Sequence, residues 1–227
     1  MEERPELSFR AAAPRMLGDI AGLTAVDLGC GTGPASRDLA ALGARVIGVE
    51  PDPAALAEAE SRGGGPVYRR ATAEATGLAA GSADVVLFSM SLHHCPDMGA
   101  ALDEAVRLLR PGGQLAVLEP EAGDPGWPVT RWIDDEGAAY EAAARALSDR
   151  LAAGMLEGRR TLHYAMRHRV ADIDTLIAQM QAVDPSRSVT PAQRAAAEAA
   201  FADAVRHDAE GPFLPTWLRL DVASRPR

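Results

Sequence analysis

Through the first half of the chain, short apolar and β-branched runs alternate with stretches in which apolar residues recur every three or four positions. The first pattern predicts buried strands and the second predicts helices, so their alternation is typical of parallel βαβ units. We predict strands over residues 24–28, 45–50, 66–70, 83–89 and 113–119, and helices over 34–42, 53–62 and 97–109. Right-handed crossovers between these strands predict an α/β fold with a doubly wound, mostly parallel sheet.

After Pro120 the pattern changes to a Pro- and Gly-rich loop over residues 121–128. Helical stretches follow over 131–155, 170–181 and 191–207. We predict that these helices form a cover over the first half of the chain. The alternating segment 213–222 predicts a terminal strand that could pair antiparallel at the sheet edge, and 161–168 is a further candidate strand.

The length of 227 residues suits one domain of this kind. We therefore predict a single domain over 1–227, with a core at about 20–120, a substrate-covering helical region at about 121–210 and the terminal strand at about 213–222.

Charge and cysteine content narrow the function further. A net charge of -9 argues against electrostatic binding of nucleic acid over a broad surface, because binding of phosphates needs clustered Lys and Arg. Cys30 and Cys95 have neither metal-site spacing nor a clear disulfide pattern, so we expect no metal and a reducing cytoplasm. The charged start of the chain lacks the apolar core of a signal peptide, and no apolar run reaches membrane-spanning length, which predicts a soluble protein without a membrane partner.

The strongest local motif runs from Val26 to Gly33 as VDLGCGTG, where the first predicted strand meets a helix. Gly29 and Gly31 let the backbone approach a ligand and adopt the positive φ values of a tight turn. The carboxyl end of the first strand is also where doubly wound folds bind ligands. Pro34 stands where a dinucleotide fingerprint needs Gly or Ala, which makes NAD the second choice of ligand.

Glu50 ends the second predicted strand, about 20 residues after the glycine turn. A carboxylate there can accept hydrogen bonds from both hydroxyls of a ribose. This residue alone does not separate NAD from other adenosyl ligands, because all of them carry a ribose diol.

The residues from Asp27 to Gly33 resemble the DxGxGxG motif of class I S-adenosylmethionine-dependent methyltransferases. The runs 71–74, 83–86 and 89–94 resemble those of ubiquinone/menaquinone-type methyltransferases, the type 11 group, and 107–115 resembles that family's turn into the fifth strand. The turn itself reads as a structural stop, since a proline and paired glycines end a helix. The likeness covers roughly residues 23–120.

The resemblance implies a Rossmann-like fold, S-adenosylmethionine as cofactor and methyl transfer as the reaction. In the family, the glycine turn holds the methionine and ribose portion of the cofactor and the leading acid lies near its amino end. That family often has an acid that contacts the adenine amine where this chain has Thr72, which leaves adenine recognition open. The implied cofactor-binding residues are Asp27, Gly29, Cys30, Gly31, Glu50, Pro51, Thr72, Ala73, Glu74, Ser89 and Met90.

His93 and His94 follow the fourth predicted strand and are the candidate catalytic residues. A histidine can act as a general base toward a hydroxyl or amine acceptor, and His94 is the preferred one of the pair. The alternative is that either histidine caps the next helix or packs against the turn.

Candidate substrate-binding residues lie in the second half, because loops at strand ends concentrate substrate contacts. Each is alternatively a surface or packing residue. A helix over 9–20 either closes over the cofactor or covers the sheet. The candidates are Trp127, Trp132, His163, Tyr164 and Arg167.

The sequence therefore predicts an enzyme that transfers a methyl group from S-adenosylmethionine to an oxygen or nitrogen of a small molecule, with a homodimer as one option for its assembly. Three alternatives stay open: an enzyme that uses the sulfonium by intramolecular displacement, an NAD-binding oxidoreductase, and a non-catalytic adenosyl-binding module motivated by Thr72.

Overall fold

The computed structural model describes residues 4–121, 123–183 and 186–227, and its contacts divide the chain into two compact units. The sheet unit comprises Leu7–Glu119, Ala142–Leu162 and Arg219–Arg227, and the helical unit comprises residues 4–6, Pro120–Glu141 and His163–Leu218. The helices are α1 (Phe9–Leu17), α2 (Pro34–Ala41), α3 (Pro53–Arg62), α4 (Met98–Leu108), α5 (Trp127–Thr130), α6 (Gly137–Ala152), α7 (Ile173–Val183) and α8 (Pro191–Ala204). The strands are β1 (Thr24–Leu28), β2 (Arg45–Glu50), β3 (Val67–Arg70), β4 (Ala83–Ser89), β5 (Leu109–Pro120), β6 (Glu157–Arg169), β7 (Arg206–Asp208) and β8 (Gly211–Ser224).

The sheet has the strand order β3-β2-β1-β4-β5-β8-β6, and β7 pairs with β8. Strands β1 to β5 pair in parallel, and the chain crosses from one side of β1 to the other between β3 and β4. Pairing of β7 with β8 is antiparallel. The predicted α/β class with a doubly wound, mostly parallel sheet is thus confirmed, and its switch point lies between β1 and β4.

The core of the sheet unit explains why the strands were readable from the sequence. Strands β1 and β4 are buried along almost their whole length, so they carry continuous apolar runs rather than alternation. Helix α4 packs Leu102, Ala105 and Leu108 into the same core. Pro34 and Pro53 occupy first-turn positions, where a helix has no internal partner for the amide.

The segment 107–115 differs from its predicted role as a simple stop. Strand β5 already begins at Leu109, which pairs with Ala83, and the next registered pair joins Gln114 to Val85. The proline and glycines between them therefore form an irregularity within the strand, with Gly112 at a φ of 78°.

The terminal strand also departs from the prediction that it lies at the sheet edge, because β8 lies between β5 and β6. In the sheet unit, fully buried Asp221 on β8 accepts hydrogen bonds from Arg159 at 2.9 and 3.0 Å and from Thr161 at 2.6 Å, both on β6. The first half of β6 is exposed, so it lacks the apolar run that would have marked it as a strand.

The helical unit has its own apolar core, to which α7 contributes Ile173 and Leu176 and α8 contributes Ala197. The predicted helix 131–155 corresponds to the shorter α6, which begins only at Gly137, and the single turn α5 lies before it, largely where a loop was predicted. The predicted helix 191–207 ends at Ala204 and is followed by β7. Within residues 4–121, 123–183 and 186–227, no helix has the length and apolar character needed to cross a bilayer.

A polar network in the sheet unit fixes the loop after β3. The Glu104 carboxylate on α4 accepts hydrogen bonds from the Thr76 amide at 3.1 Å and from the Thr76 hydroxyl at 2.5 Å. Arg107 donates to the same carboxylate at 2.6 and 2.8 Å and to the Leu78 carbonyl at 2.7 Å. The hydrogen bonds from Arg107, followed by those from Thr76, lower the pKa of Glu104 to about 2 against the opposing effect of burial.

We predict that Glu104→Gln lowers the free energy of unfolding by about 2 kcal/mol at pH 7, because it removes the charge that Arg107 and Thr76 satisfy. The ionised carboxylate stabilises the fold above its ordinary pKa of 4.5, and this stabilisation is lost as the pH falls from 4.5 toward 2. In urea titrations, the difference in the free energy of unfolding between wild type and Glu104→Gln should therefore become smaller as the pH falls from 4.5 toward 2. The matched control is Glu58→Gln, which removes an exposed pair with Arg62, and equal effects of the two variants would contradict this account.

Candidate active site

The turn after β1 is held by the end of β2. The amides of Gly29 and Cys30 donate to the Val49 carbonyl at 2.8 and 3.0 Å. Gly29 and Gly31 have φ values of 68° and 53°, in the region that side chains rarely adopt. The predicted glycine turn thus exists, and its shape depends on hydrogen bonds from the neighbouring strand.

The end of β4 packs against the same turn. A Cβ atom on Gly29 would lie 2.7 Å from Cβ of Ser91, whereas one on Gly31 would meet nothing within 4 Å. The Ser91 hydroxyl donates to the Leu28 carbonyl at 2.7 Å. Gly29 is therefore required by close packing, and Gly31 leaves open space beside the backbone.

Glu50 joins the turn to the start of α3. Its Oε2 accepts a hydrogen bond from the Gly31 amide at 2.9 Å, and its Oε1 accepts one from the Asp52 amide at 3.0 Å. The intervening Pro51 is exposed, and Asp52 caps α3 by accepting from the Ala54 amide. The Glu50 carboxylate is therefore fixed in place next to the glycine turn, with lone pairs left for another donor.

Asp27 is a fully buried carboxylate one residue before the end of β1. Its Oδ2 accepts a hydrogen bond from the Ser36 hydroxyl at 2.5 Å, while its Oδ1 has no partner among the described residues. Burial raises the pKa of Asp27 to about 6, the Ser36 hydrogen bond opposes that shift, and the Glu50 charge adds to it. An unsatisfied buried oxygen at a ligand-binding edge favours a role in binding a donor.

Tyr68 on β3 supports the turn from the side of β2. A Cβ on Gly48 would lie 2.6 Å from the Tyr68 ring, and a Cβ on Gly33 would lie 2.3 Å from its hydroxyl. Cys30 lies against Gly48 as well, and burial, followed by the charges of Asp27 and Glu50, raises the pKa of its thiol. The Cys30 thiol is therefore neutral at neutral pH.

The loop after β3 carries the residues predicted to receive adenine. Thr72 is exposed, and its carbonyl accepts from the Ala75 amide at 3.3 Å. Ala73 is buried in the core, so only its backbone can serve a ligand. The half-buried Glu74 accepts from the Asp97 amide at 3.4 Å.

The end of β4 carries the predicted catalytic pair. Ser89 is half-buried. Met90 is exposed and has a left-handed backbone conformation, with a φ of 53°. The Met90 amide donates a hydrogen bond to the Leu118 carbonyl at 2.7 Å. His93 is only 3% exposed, and its Nδ1 contacts the fully buried Glu119 carboxylate. His94 is exposed, and its ring centroid lies 3.9 Å from that of His93.

Several positioning residues were not identified from the sequence. They are Ser36, Tyr68, Ser91 and Glu119. Glu119 had a usable signal, since a carboxylate that ends an apolar run is costly to bury without a partner. The other three touch the site through the fold alone, and no spacing rule pairs them with it.

Comparisons with known proteins agree with this geometry. Residues 26–117 match the family model of the methyltransferase domain. Ubiquinone biosynthesis O-methyltransferase from Methylobacterium sp. (strain 4-46) is 42% identical over 98 residues, which cover 41% of this chain and 39% of that relative. An uncharacterized methyltransferase from Mycobacterium sp. (strain JLS) is 40% identical over 97 residues, covering 43% of this chain and 38% of that relative. The matched region therefore spans about two fifths of the length of these curated relatives.

Residues 26–117, the segment that matches the family model, lie within the sheet unit. The fold comparison extends further, since a crystal structure from Bacillus halodurans C-125, described as a candidate methyltransferase, superimposes with a TM-score of 0.68. It covers 97% of this chain and 100% of that one at 15% identity, which establishes a shared fold. The glycine turn, Glu50 and both histidines lie within the matched segment, residues 26–117.

The predicted substrate residues all lie in the helical unit, outside the matched segment. The guanidinium carbon of Arg131 lies 4.4 Å from the ring centroid of Trp127 and 5.8 Å from that of Trp132. His163 contacts Glu121 at 2.9 Å, and Tyr164 is fully buried. Arg167 pairs with Glu6 and Asp208, so its charge is already neutralised by the fold.

We predict that Gly29→Ala destabilises the protein by about 2 to 3 kcal/mol, because a methyl group collides with Ser91 and the residue keeps a positive φ. Gly31→Ala also places a side chain at a positive φ, but its methyl group does not collide with a neighbour. This variant should lower the free energy of unfolding by about 1 kcal/mol. Urea unfolding of both variants measures the difference. Equal costs would show that packing against β4 does not constrain the turn.

We also predict that Asp27→Asn is more stable than wild type above pH 6, by roughly 2 to 3 kcal/mol at pH 8. The folded pKa of about 6 lies above the ordinary value of 3.8, so wild-type stability is fully present below about pH 4 and is lost as the pH rises through 6. Thermal unfolding from pH 4 to 8 tests this, with Asp103→Asn as an exposed control. The prediction fails if Asp27→Asn and wild type keep the same pH dependence.

Proposed function

We propose that this protein is an enzyme that transfers a methyl group from S-adenosylmethionine to an oxygen or nitrogen of a small-molecule acceptor. The single observation that carries the proposal is the pairing of an unsatisfied buried Asp27 with a fixed Glu50 on either side of an open glycine turn. The relatives named ubiquinone biosynthesis O-methyltransferase support transfer to oxygen and a small acceptor.

The residues present fit the cofactor. Asp27 Oδ1 is a buried acceptor without a donor, and an ammonium group of the cofactor would supply one. The open space beside Gly31 admits a ligand against the backbone, next to Glu50, which would accept from the ribose hydroxyls. Binding of the ammonium would also lower the raised pKa of Asp27, because an adjacent positive charge favours the carboxylate.

For adenine, the proposed contacts are the Thr72 hydroxyl, the Ala73 backbone and Glu74. Thr72 is exposed and Glu74 is half-buried, so both can reach a ligand that lies over the loop. Pro51, Ser89 and Met90 would line the remaining surface. The Met90 side chain is exposed and its backbone has an uncommon left-handed conformation, which suits a residue at a binding site.

The bound cofactor supplies an electrophilic methyl group, so the protein has mainly to orient the acceptor and to accept its proton. We assign the base role to His94, which is exposed and whose ring lies next to that of His93 at an interplanar angle of 47°. His93 is a positioning residue, because the buried Glu119 holds its Nδ1 and leaves it little freedom to turn.

We further propose a domain organisation, a cellular compartment and a partner class for the protein. The chain is proposed to act as a single domain in the cytoplasm, where its free cysteines Cys30 and Cys95 would stay reduced. A small-molecule partner is proposed without nucleic acid or membrane, in keeping with the net charge of -9.

The test is titration calorimetry with S-adenosylhomocysteine, the product of methyl transfer. We expect micromolar binding by wild type, and at least tenfold weaker binding by Glu50→Gln, which lacks the charge that strengthens ribose hydrogen bonds. Glu58→Gln, an exposed acid on α3, should bind like wild type. Absence of binding at millimolar ligand by a folded protein, or preferential binding of NAD, would overturn the proposal.

A further inference from the structure

Ser36, the third residue of α2, is fully buried although its side chain is polar. The helix contacts β1 and β2, and its other buried residues, Ala35 and Leu39, are apolar. A hydroxyl group in such a position is unfavourable unless it is hydrogen-bonded. The Ser36 hydroxyl donates to Oδ2 of Asp27 on β1 at 2.5 Å, and this bond connects the first turn of α2 to the cofactor site.

The Ser36 hydrogen bond makes the two oxygens of the Asp27 carboxylate unequal. Oδ2 accepts the serine hydroxyl, whereas Oδ1 has no partner among the described residues. A carboxylate that served packing alone would be destabilising in this state, because a buried oxygen without a donor has lost its hydration without compensation. The arrangement therefore favours a ligand as the missing donor, and it leaves Oδ1 as the oxygen that receives it.

The groups around Asp27 differ in how they affect its ionisation. Burial raises the pKa of Asp27 to about 6, the Ser36 hydrogen bond is the largest opposing effect, and the charge of Glu50 at the end of β2 adds to the rise. The Cys30 thiol in the turn and the Tyr68 hydroxyl on β3 also interact with Asp27, and burial raises the pKa of both, so they are uncharged at neutral pH. Of these groups, Ser36 alone favours the ionised carboxylate.

We propose that Ser36 is a positioning residue of the cofactor site, which keeps Asp27 ionised and leaves its Oδ1 atom for the ammonium group of S-adenosylmethionine. This inference rests on the proposed function, because it concerns the same cofactor. It implies that binding is linked to a proton, since the ammonium pairs with Asp27 only after the carboxyl proton has left for the solvent. Cofactor affinity should therefore increase as the pH rises through about 6 and become constant above it.

The test is titration calorimetry with S-adenosylhomocysteine, which carries the same ammonium group, between pH 5 and pH 8. Wild type should bind about tenfold more tightly at pH 7 than at pH 5, because the ionised fraction of Asp27 changes by that factor. Titrations at pH 6 in buffers of different ionisation enthalpy count the protons released. Wild type should release about half a proton per bound ligand at that pH.

Ser36→Ala removes the hydroxyl without adding volume. It should weaken binding at pH 7 by about tenfold, move the rise in affinity to higher pH and release close to one proton at pH 6, because more of Asp27 is then protonated. Ser36→Thr keeps the hydroxyl and should keep the wild-type pH profile. The matched control is Ser61→Ala on α3, which removes an exposed hydroxyl that donates to the Glu58 carbonyl at 2.8 Å and should bind like wild type.

Two results would overturn the inference and leave the proposed function standing. In the first, wild type binds S-adenosylhomocysteine with the same affinity at all pH values and releases no proton, a result that needs no variant. In the second, Ser36→Ala binds more weakly by the same factor at every pH, which would show that Ser36 supports only the packing of α2. Failure of S-adenosylhomocysteine to bind wild type at any pH would instead remove the proposed function.

Discussion

The hydrogen bonds from the turn after β1 to the end of β2 are the interaction on which the site depends. Val49 accepts from two successive amides of the turn, and Glu50 accepts from a third at Gly31. These bonds satisfy backbone donors that the positive-φ glycines would otherwise leave unpaired. The carboxylate of Glu50 both fixes the turn and is proposed to hold the ribose. The binding site is therefore formed by the same hydrogen bonds that stabilise this part of the fold.

Burial of the Asp27 carboxylate at this site lowers the stability of the ligand-free protein. A fully buried carboxylate with one oxygen unpartnered is unfavourable in the ligand-free fold, and the raised pKa of about 6 reports that cost. The same feature becomes favourable when a cation binds, because the charge is then paired away from water. The buried Asp27 carboxylate thus lowers the stability of the ligand-free protein, as polar groups at functional sites often do.

The sequence predicted the parallel half of the fold well because β1, β2 and β4 are buried strands and their glycines and prolines have local roles. It missed the start of β6 and the position of β8 inside the sheet, since β6 is largely exposed in its first half and its partner Asp221 has the sequence pattern of a surface acid. The positions of Gly29 and Glu50 followed from motif spacing. The contacts of Ser91 and Tyr68 with the turn did not, because they depend on which strands become neighbours.

A crystal structure with S-adenosylhomocysteine would locate the ligand relative to the turn after β1. We predict that the ribose hydroxyls lie within hydrogen-bond distance of Glu50, that the amino group lies at Asp27 Oδ1, and that the ligand lies against the backbone of Gly31. Ligand density at another edge of the sheet, or at this edge with Asp27 Oδ1 still unpartnered, would contradict it.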